Sequence, residues 1–240
     1  IVKNAHLINA GEMPDLSENK GDFFFMPRRN GGRAAETIME LCAHRLPKNM
    51  GIDPAQIQVL SPTRLYEAGT VNLNQCIQRA VNPPSEDKNE KNFGDFVFRE
   101  GDRVMQIRNN YDIIWEKDGE SGSGIYNGDI GTVVKIDSEA QVMTVDFDAK
   151  LVEYAFDSLA ELEPAYAVTV HKAQGSEYRA VIVSLVKCAP ALMSRAVLYT
   201  AVTRAKDLLI VVGDPDVVSA MVYNNAPQKR YSGLKTRLMG

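Results

Sequence analysis

The pattern of predicted strands changes twice along this 240-residue chain, which restricts the folds open to it. Up to residue 95, and again after Pro164, buried strands alternate with helix-length segments, as in an α/β sheet. From Phe96 to Leu162 the chain instead shows short alternating strands separated by turn signals such as Asn127-Gly128-Asp129. About 65 residues of this kind are typical of a small β-barrel. We therefore predict a barrel at 96–162 inserted into a discontinuous α/β domain, residues 1–95 and 163–240.

Strands of the α/β domain are predicted where short apolar runs are bounded by turn residues, and helices where apolar residues recur every three or four positions. The predicted strands are residues 22–26, 58–60, 166–170, 181–186 and 208–212. The predicted helices are residues 2–10, 32–46, 73–80 and 191–206, with Pro47, Gly51 and Pro54 expected to end the second. The charged segment 84–95 is predicted to be a mobile linker, and the Gly- and Ser-rich stretch 120–124 a flexible loop.

Composition narrows the classes of function. The formal net charge of −4 gives no bulk attraction to nucleic acid, although a local basic groove can still bind it. No apolar run approaches the 18 residues of a membrane helix, so no membrane partner is expected. The cysteines Cys42, Cys76 and Cys188 are too scattered for a disulfide framework or a metal site, which fits a cytoplasmic location. A first residue of Ile1 rather than Met suggests a fragment of a longer protein.

The stretch AVTVHKAQGSEY, residues 167–178, places a polar loop directly after a buried strand. In α/β sheets, ligands bind where the carboxyl ends of strands meet their loops. Gly175 lets the backbone approach a ligand closely, Gln174 can donate and accept, and Glu177 can accept from sugar hydroxyls. Side chains able to hold phosphates or stack on bases occupy three positions: Thr169, His171 and Lys172. The loop therefore predicts a site for a nucleotide or nucleic acid.

A second stretch, LYTAVTRAK at residues 198–206, has apolar residues at helical spacing and falls in the predicted helix 191–206. Its apolar side can pack on the sheet and leave Arg204 on another face. An arginine held on a rigid helix can reach a phosphoryl group across an interface and stabilise the charge of a transition state.

In this order and spacing, the two stretches resemble motifs V and VI of superfamily-1 DNA helicases of the RecD/TraA branch. Three more pieces are similar to conserved segments of that branch: NAHLINAGEMP with DFFF, VLSPTR followed by LNQCIQRAVNP, and GDRVMQIRNNY with YNGDIGTV. The resemblance covers nearly the whole chain. It implies an α/β fold, the second RecA-like motor lobe of the P-loop-NTPase type without its own P-loop, carrying an inserted SH3-like β-barrel.

The resemblance also implies roles for particular residues. Arg204 matches the catalytic arginine finger, and Glu177 matches a residue facing the ribose, with Gln174, Gly175 and Ser176 beside it. Thr169 and His171 match positions that contact single-stranded DNA. Further expected DNA contacts are Lys172 in the same loop and, in the barrel, Asn109, Asn110 and Tyr111.

The sequence lacks two elements with which a complete helicase binds ATP and Mg²⁺. No G-x-x-x-x-G-K-[ST] sequence is present, and the acidic pair that holds Mg²⁺ in the first lobe has no counterpart. The resemblance therefore implies ATP with Mg²⁺ as cofactors, both needing the first lobe, and no metal site or ATP hydrolysis in this chain alone. The implied parent is an ATP-dependent 5′–3′ helicase. Its expected partners are single-stranded DNA, the N-terminal motor lobe of the same protein, and other repair or recombination proteins.

Three alternatives stay open from the sequence. The chain could be a non-enzymatic module that binds single-stranded nucleic acid. Its parent could be a conjugative relaxase fused to a motor of this type, or the RecD subunit of an exonuclease complex. No nuclease carboxylate cluster is visible, so DNA cleavage by this chain is not expected.

Overall fold

The computed structural model describes residues 1–17 and 21–225. The helices are α1 (Val2–Ala10), α2 (Gly31–Glu40), α3 (Leu46–Met50), α4 (Thr70–Val81), α5 (Arg195–Val202) and α6 (Pro215–Tyr223). The strands are β1 (Phe23–Pro27), β2 (Ile57–Ser61), β3 (Glu90–Phe93), β4 (Phe96–Arg99), β5 (Arg103–Gln106), β6 (Asn110–Lys117), β7 (Glu120–Ile125), β8 (Ile130–Asp137), β9 (Val142–Phe147), β10 (Lys150–Ala155), β11 (Leu162–Pro164), β12 (Ala167–Thr169), β13 (Tyr178–Leu185) and β14 (Ala205–Gly213).

A five-stranded parallel sheet organises the α/β part, in the order β1-β14-β13-β2-β12. Its central strands are aliphatic runs because both of their faces are covered by helices. Val181 and Leu209 face a core that also contains residues of α1, α5 and α6. Ile182 and Ile210, the next residue of each strand, face a second core built with α2 and α4. The strands predicted near residues 23, 58, 167, 181 and 208 are all present, and so are the helices at 2–10 and 73–80.

A seven-stranded antiparallel sheet lies between α4 and β12 in the chain, in the order β11-β5-β8-β9-β10-β6-β7. Its strands alternate between buried and outward residues, most regularly in β9, where Met143, Val145 and Phe147 point into the core. The predicted turn signal Asn127-Gly128-Asp129 connects β7 to β8. Before this sheet, β3 and β4 form a separate two-stranded hairpin.

Two local predictions around the barrel are wrong. Segment 84–95 is not simply a linker, because Glu90–Phe93 forms β3 and pairs with β4, where Arg99 Nε donates to Glu90 Oε1 at 2.5 Å. The stretch 120–124 is not a loop but lies in β7, where Gly122 approaches the Trp115 ring so closely that a Cβ would lie 2.3 Å from it. In both cases pairing with the adjacent strand of a hairpin decides the structure.

Of the residues expected to end the second helix, Gly51 does so and Pro47 does not. A π-helical turn, Leu41–Arg45, joins α2 to α3, and the helical path continues to Met50 before Gly51 takes a left-handed conformation. Pro47 is tolerated because it lies in the first turn of α3, where a missing N–H costs little. Within the described ranges, no helix is long and apolar enough to cross a membrane.

The π-helical turn carries Cys42, whose environment makes alkaline stability testable. Burial raises the pKa of its thiol from 9.0 to about 12. The stabilising contribution of the protonated thiol is therefore complete below pH 9 and is lost as the pH rises toward 12. We expect the free energy of unfolding to fall there with a slope of about 1.4 kcal/mol per pH unit from this group.

Urea unfolding between pH 9 and 11 checks this expectation. Cys42→Ala should be less stable at pH 8 but should lose stability less steeply with pH than the wild type. Cys76→Ala, at a partly exposed position on α4, keeps Cys42 and is the matched control. Equal slopes in Cys42→Ala and wild type would contradict the assignment.

Candidate functional site

The loop singled out by the sequence, residues 170–177, connects two opposite edges of the parallel sheet. Thr169, at its start, pairs with Ser61 at the carboxyl end of β2. Beyond its end, Ala180 pairs with Ile57 at the amino end of β2. The expectation that this loop lies at the carboxyl ends of strands therefore holds only for its first part. The structure divides the candidate residues into a carboxyl-edge cluster and an amino-edge cluster.

The carboxyl-edge cluster is organised around Glu163. Lys172 Nζ lies 2.6 Å from Glu163 Oε2, and Arg64 Nη2 lies 3.5 Å from Glu163 Oε1. Thr169 Oγ1 accepts from the backbone N–H of Lys172 at 3.4 Å. The four side chains line one cleft together with Thr70 at the start of α4. This edge therefore presents two cations held by one carboxylate.

The short edge strand β12 is held in place by α4. The side chain of the buried Asn74 donates to the carbonyl of Ala167 at 2.8 Å and accepts from its backbone N–H at 2.8 Å. The amide thus makes the pair of hydrogen bonds that a neighbouring strand would make. These two bonds fix the position of β12 at Ala167, two residues before Thr169. His171, the next candidate along the chain, is exposed.

The amino-edge cluster contains Arg204, which does not lie on a helix. Helix α5 ends at Val202, where Thr203 Oγ1 donates back to the carbonyls of Tyr199 and Thr200. Ala205 then begins β14, because the apolar run that follows pairs with β13. Arg204 occupies the turn between them, so the predicted helix 191–206 is wrong at both ends.

Hydrogen bonds hold the Arg204 side chain against the loop. Its Nη1 donates to the carbonyl of Ser176 at 2.8 Å, Nε to that of Thr200 at 3.1 Å, and Nη2 to Thr203 Oγ1 at 3.0 Å. Its own carbonyl accepts from Tyr178 N–H at 2.8 Å. A guanidinium has five N–H groups, so two remain to face an anion. The loop 170–177 and Arg204 are therefore in direct contact.

The other amino-edge candidates are accessible. Gly175 has φ of +88° with no heavy atom within 4 Å of a built Cβ, and Gln174 beside it is exposed. Glu177 Oε2 lies 3.4 Å from Lys206 Nζ, a solvent-exposed pair that contributes little to stability. A strand follows Glu177, so this residue does not cap a helix. The solvent-exposed carboxylate of Glu177, the accessible backbone of Gly175 and the hydrogen-bonded guanidinium of Arg204 could contact the ribose and phosphates of a nucleotide.

The barrel candidates have different surroundings. Asn110 is used internally, since its Nδ2 donates to Glu161 Oε2 and its Oδ1 accepts two backbone N–H groups. Asn109 Oδ1 accepts from the backbone N–H of Asn127, and Asn109 Nδ2 donates to the hydroxyl of Tyr111. Tyr111 is 61% exposed, and its ring lies 5.8 Å from that of Tyr126, which is 47% exposed.

Three residues beside the candidate residues were not predicted from the sequence: Arg64 and Glu163 in the carboxyl-edge cluster, and Tyr126 in the barrel. Arg64 could have been found, because it follows the buried strand β2 just as Thr169 ends β12. Tyr126 begins the recognised turn YNGD, but only the fold brings it beside Tyr111. Among the described residues, no group of three or more His, Cys, Asp or Glu side chains is placed to hold a metal ion.

Two parts of the chain match known families. Residues 73–147 match the SH3 domain of ATP-dependent RecD-like DNA helicases, and residues 164–212 match the UvrD-like helicase C-terminal domain. The ATP-dependent RecD2 DNA helicase of Deinococcus radiodurans is 30% identical over 239 residues, 100% of this chain and 29% of that protein. The RecBCD enzyme subunit RecD of Mycolicibacterium smegmatis is 31% identical over 181 residues, 75% of this chain and 29% of that protein. The chain thus spans less than a third of either relative.

Solved structures with a similar fold include two Pif1 helicases. The Bacteroides enzyme, in complex with ADP-AlF3 and single-stranded DNA, gives a TM-score of 0.53 at 16% identity, over 99% of this chain and 53% of that one. The Candida albicans enzyme gives 0.51 at 16% identity, over 99% of this chain and 57% of that one. The expected fold, a RecA-like α/β lobe with an SH3-like barrel, is confirmed. The chain therefore carries a RecD-like helicase SH3 domain and a UvrD-like helicase C-terminal domain, and over its whole length it is similar to a RecD2 DNA helicase.

Proposed function

We propose that this chain is the second motor lobe and barrel of an ATP-dependent 5′–3′ DNA helicase. In this proposal residues 1–95 and 163–240 form the lobe and residues 96–162 the barrel. One observation carries it: residues 170–177 run from the carboxyl-edge cluster directly to the amino-edge cluster, where Ser176 contacts Arg204. Such a segment can transmit a change at a nucleotide to a grip on DNA.

The carboxyl-edge cluster is the proposed motor-lobe contact with single-stranded DNA. Lys172 and Arg64 supply positive charge for phosphates, and Thr169 and the exposed His171 add hydrogen-bonding groups. Both cations are held by Glu163 until DNA binds. In the barrel, the exposed rings of Tyr111 and Tyr126 offer a surface on which bases can stack, supported by Asn109. Asn110 contributes by stabilising the conformation of this loop, because its amide group already donates a hydrogen bond to Glu161.

The amino-edge cluster is the proposed second half of a nucleotide site. ATP with Mg²⁺, held by a first lobe, would supply the free energy for movement. Arg204 would stabilise negative charge on the phosphoryl group, as an arginine finger does. Glu177 would accept from the ribose hydroxyls, with Gln174, Gly175 and Ser176 lining the same side. Because the chain has no G-x-x-x-x-G-K-[ST] sequence, we propose that alone it does not hydrolyse ATP.

Binding of a fluorescent oligonucleotide to this chain at several salt concentrations tests the DNA site. We expect measurable affinity that falls as salt rises, and Lys172→Ala to weaken binding about tenfold and reduce the salt slope by about one. Glu163→Gln should tighten binding, because it releases Lys172 and Arg64 from a competing carboxylate.

Lys135→Ala is the matched control, since Lys135 is also paired with a carboxylate, Asp137, at 2.9 Å. We expect this change to leave the dissociation constant within about twofold. If Lys172→Ala behaves like Lys135→Ala, the carboxyl-edge cluster is not the DNA contact.

A second candidate function is a non-enzymatic module for single-stranded nucleic acid. It is favoured by the fact that both proposed DNA contacts, Lys172 and Tyr111, lie inside this chain. A non-hydrolysable ATP analogue, added to the complete helicase, discriminates between the two. A change in DNA affinity caused by the analogue supports the motor; DNA binding that ignores it supports the module. The relatives carry two different names, so we assign no complex or pathway to the parent protein.

A further inference from the structure

A buried carboxylate lies where the barrel meets the motor lobe. Asp102 directly precedes β5 and is 2% exposed. It accepts from Gln78 Nε2 at 2.5 Å and Asn82 Nδ2 at 2.7 Å, both on or at the end of α4. It also accepts from the backbone N–H of Arg99 at 2.7 Å and from the hydroxyl of Tyr166 at 2.9 Å. A buried carboxylate is costly unless hydrogen-bonded, so these four donors define one geometry for the joint.

The network around Asp102 includes both sides of the joint. Asn82 Nδ2 also donates to the carbonyl of Glu100 at 3.1 Å, and Asn82 Oδ1 accepts from Lys88 Nζ. Arg99 donates to the carbonyl of Asn82 as well as to Glu90. Burial raises the pKa of Asp102, whereas its four hydrogen bonds act in the opposite direction. None of the residues in this network belongs to the carboxyl-edge or the amino-edge cluster.

Tyr166 links this joint to the proposed DNA contact. Its hydroxyl is bound by Asp102, and its backbone lies immediately before β12, three residues ahead of Thr169. The carbonyl of Tyr166 accepts from Val59 N–H at 3.2 Å, which ties the same residue to β2. A change in the Asp102–Tyr166 contact would therefore alter how the barrel sits on β12, whose last residue, Thr169, belongs to the carboxyl-edge cluster.

The next residue of the barrel makes a second connection. Arg103 Nη1 donates to the carbonyl of Ile57 at 2.8 Å, at the start of β2. With Ser176, Glu177 and Tyr178, Arg103 lines a cleft of about 570 Å³ between the barrel and the amino-edge cluster. Burial raises the pKa of Tyr178, and the positive charges of Arg103 and Arg204 oppose that change. Two consecutive barrel residues, Asp102 and Arg103, therefore contact the amino ends of two neighbouring strands, at Tyr166 just before β12 and at Ile57 in β2.

We propose that Asp102 is a positioning residue that fixes the barrel on β12, so that one DNA strand contacts Lys172 and Tyr111 together. This inference rests on the proposed function, because it assumes that both clusters bind DNA. Two linked contacts raise affinity only while their geometry allows simultaneous engagement. Asp102 would thus govern binding of long strands and leave binding of short ones unchanged.

Three variants separate this role from a general effect on stability. Tyr166→Phe deletes one hydrogen bond to Asp102 and keeps the ring. Asp102→Asn replaces an acceptor oxygen by a donor that faces other donors. Tyr154→Phe is the matched control, because the buried Tyr154 hydroxyl donates to Gln106 Oε1 at 2.9 Å inside the barrel, away from the joint.

The first readout is oligonucleotide length. For the wild type and for Tyr154→Phe, we expect strands of about 16 nucleotides to bind about tenfold or more tightly than strands of about 5 nucleotides. For Tyr166→Phe and Asp102→Asn, the affinity for long strands should fall toward that for short strands, while the short-strand affinity stays unchanged. Retention of the full length dependence in both variants would overturn the proposal.

The second readout needs no DNA. Spin labels at the exposed positions Glu36 in the motor lobe and Glu153 in the barrel, with Cys76 and Cys188 changed to Ser, report the distance between the two parts. We expect a narrow distribution in the wild type and Tyr154→Phe, and a broader one in Tyr166→Phe. An unchanged distribution in Tyr166→Phe overturns the proposal even if Asp102→Asn does not fold. If the wild type binds no DNA, the proposed function fails, while the distance measurement still decides whether Asp102 fixes the joint.

Discussion

Replacing Arg204 by alanine in the complete helicase is expected to lower its DNA-stimulated ATPase rate by about 10³-fold, the range of an arginine finger. The guanidinium is the charged group of the amino-edge cluster that can face a phosphoryl group, and it is already aimed by its bonds to Ser176 and Thr200. Arg204→Lys keeps the charge but not the planar fork, so it should restore little of the rate. Steady-state ATP hydrolysis with saturating single-stranded DNA measures the effect.

Arg179→Ala is the matched control for this measurement. Arg179 is an exposed arginine next to Tyr178, paired with Asp207 at 3.4 Å, and its loss should change the rate less than about twofold. DNA affinity without nucleotide should be the same in Arg204→Ala and the wild type. An ATPase rate of Arg204→Ala within a few-fold of the wild type would show that the finger assignment is wrong.

Replacing Gly69 by alanine is expected to destabilise the fold by about 3 kcal/mol and to weaken DNA binding as well. Gly69 caps the amino end of α4, with φ of −84°, so backbone strain is not the reason. A Cβ there would lie 2.1 Å from the Leu65 carbonyl oxygen and 2.6 Å from the Arg64 carbonyl carbon. The backbone must move to make room, and Arg64 and Thr70 move with it. Urea unfolding and oligonucleotide titration measure the two effects.

Gly94→Ala provides the contrast for Gly69→Ala. Gly94 has φ of +56° with open space around a built Cβ, so alanine there meets backbone strain and no collision. We expect a loss of about 1 kcal/mol and unchanged DNA affinity. Equal destabilisation by the two changes would mean that the contact between Gly69 and the 64–65 backbone is looser than the structure shows.

The strands and helices of the α/β part were predictable because their signal is local. A run such as Val181–Val186 is apolar at every position except Ser184, and a strand buried on both faces favours that pattern. The candidate loop was predictable for the same reason, since a polar segment directly after a buried strand must lie at an edge of the sheet. The assignment of named roles to its residues came from resemblance to a family rather than from the pattern.

The errors share one physical cause. Glu90–Phe93 looked like a linker because its charged residues show no periodicity, yet Arg99 and Glu90 pair across a hairpin. Arg204 looked helical because apolar residues continue past Val202, but pairing of the following residues with β13 turns them into a strand. In both cases pairing with another strand overrides the local preference.

The carboxyl-edge cluster shows the same limit for the site. Lys172 was identified because it lies in the polar loop, whereas Arg64 follows β2 and Glu163 lies in β11 of the other sheet, and only the fold brings them beside it. Asn110 was expected to face DNA, but its amide is occupied by Glu161, 51 residues away. The identity of a polar residue does not state whether it will face solvent or a neighbour.

The sequence alone was enough to predict three features: the alternation of buried strands with helices, the inserted run of short strands, and the polar loop after β12. They are predictable because burial of one face imposes a periodic pattern of apolar residues on neighbouring positions. What required the folded molecule was the separation of that loop into two edges, the turn position of Arg204, and the joint at Asp102. These features depend on contacts between residues far apart in sequence, such as Asp102 with Tyr166, and such contacts leave no periodic mark.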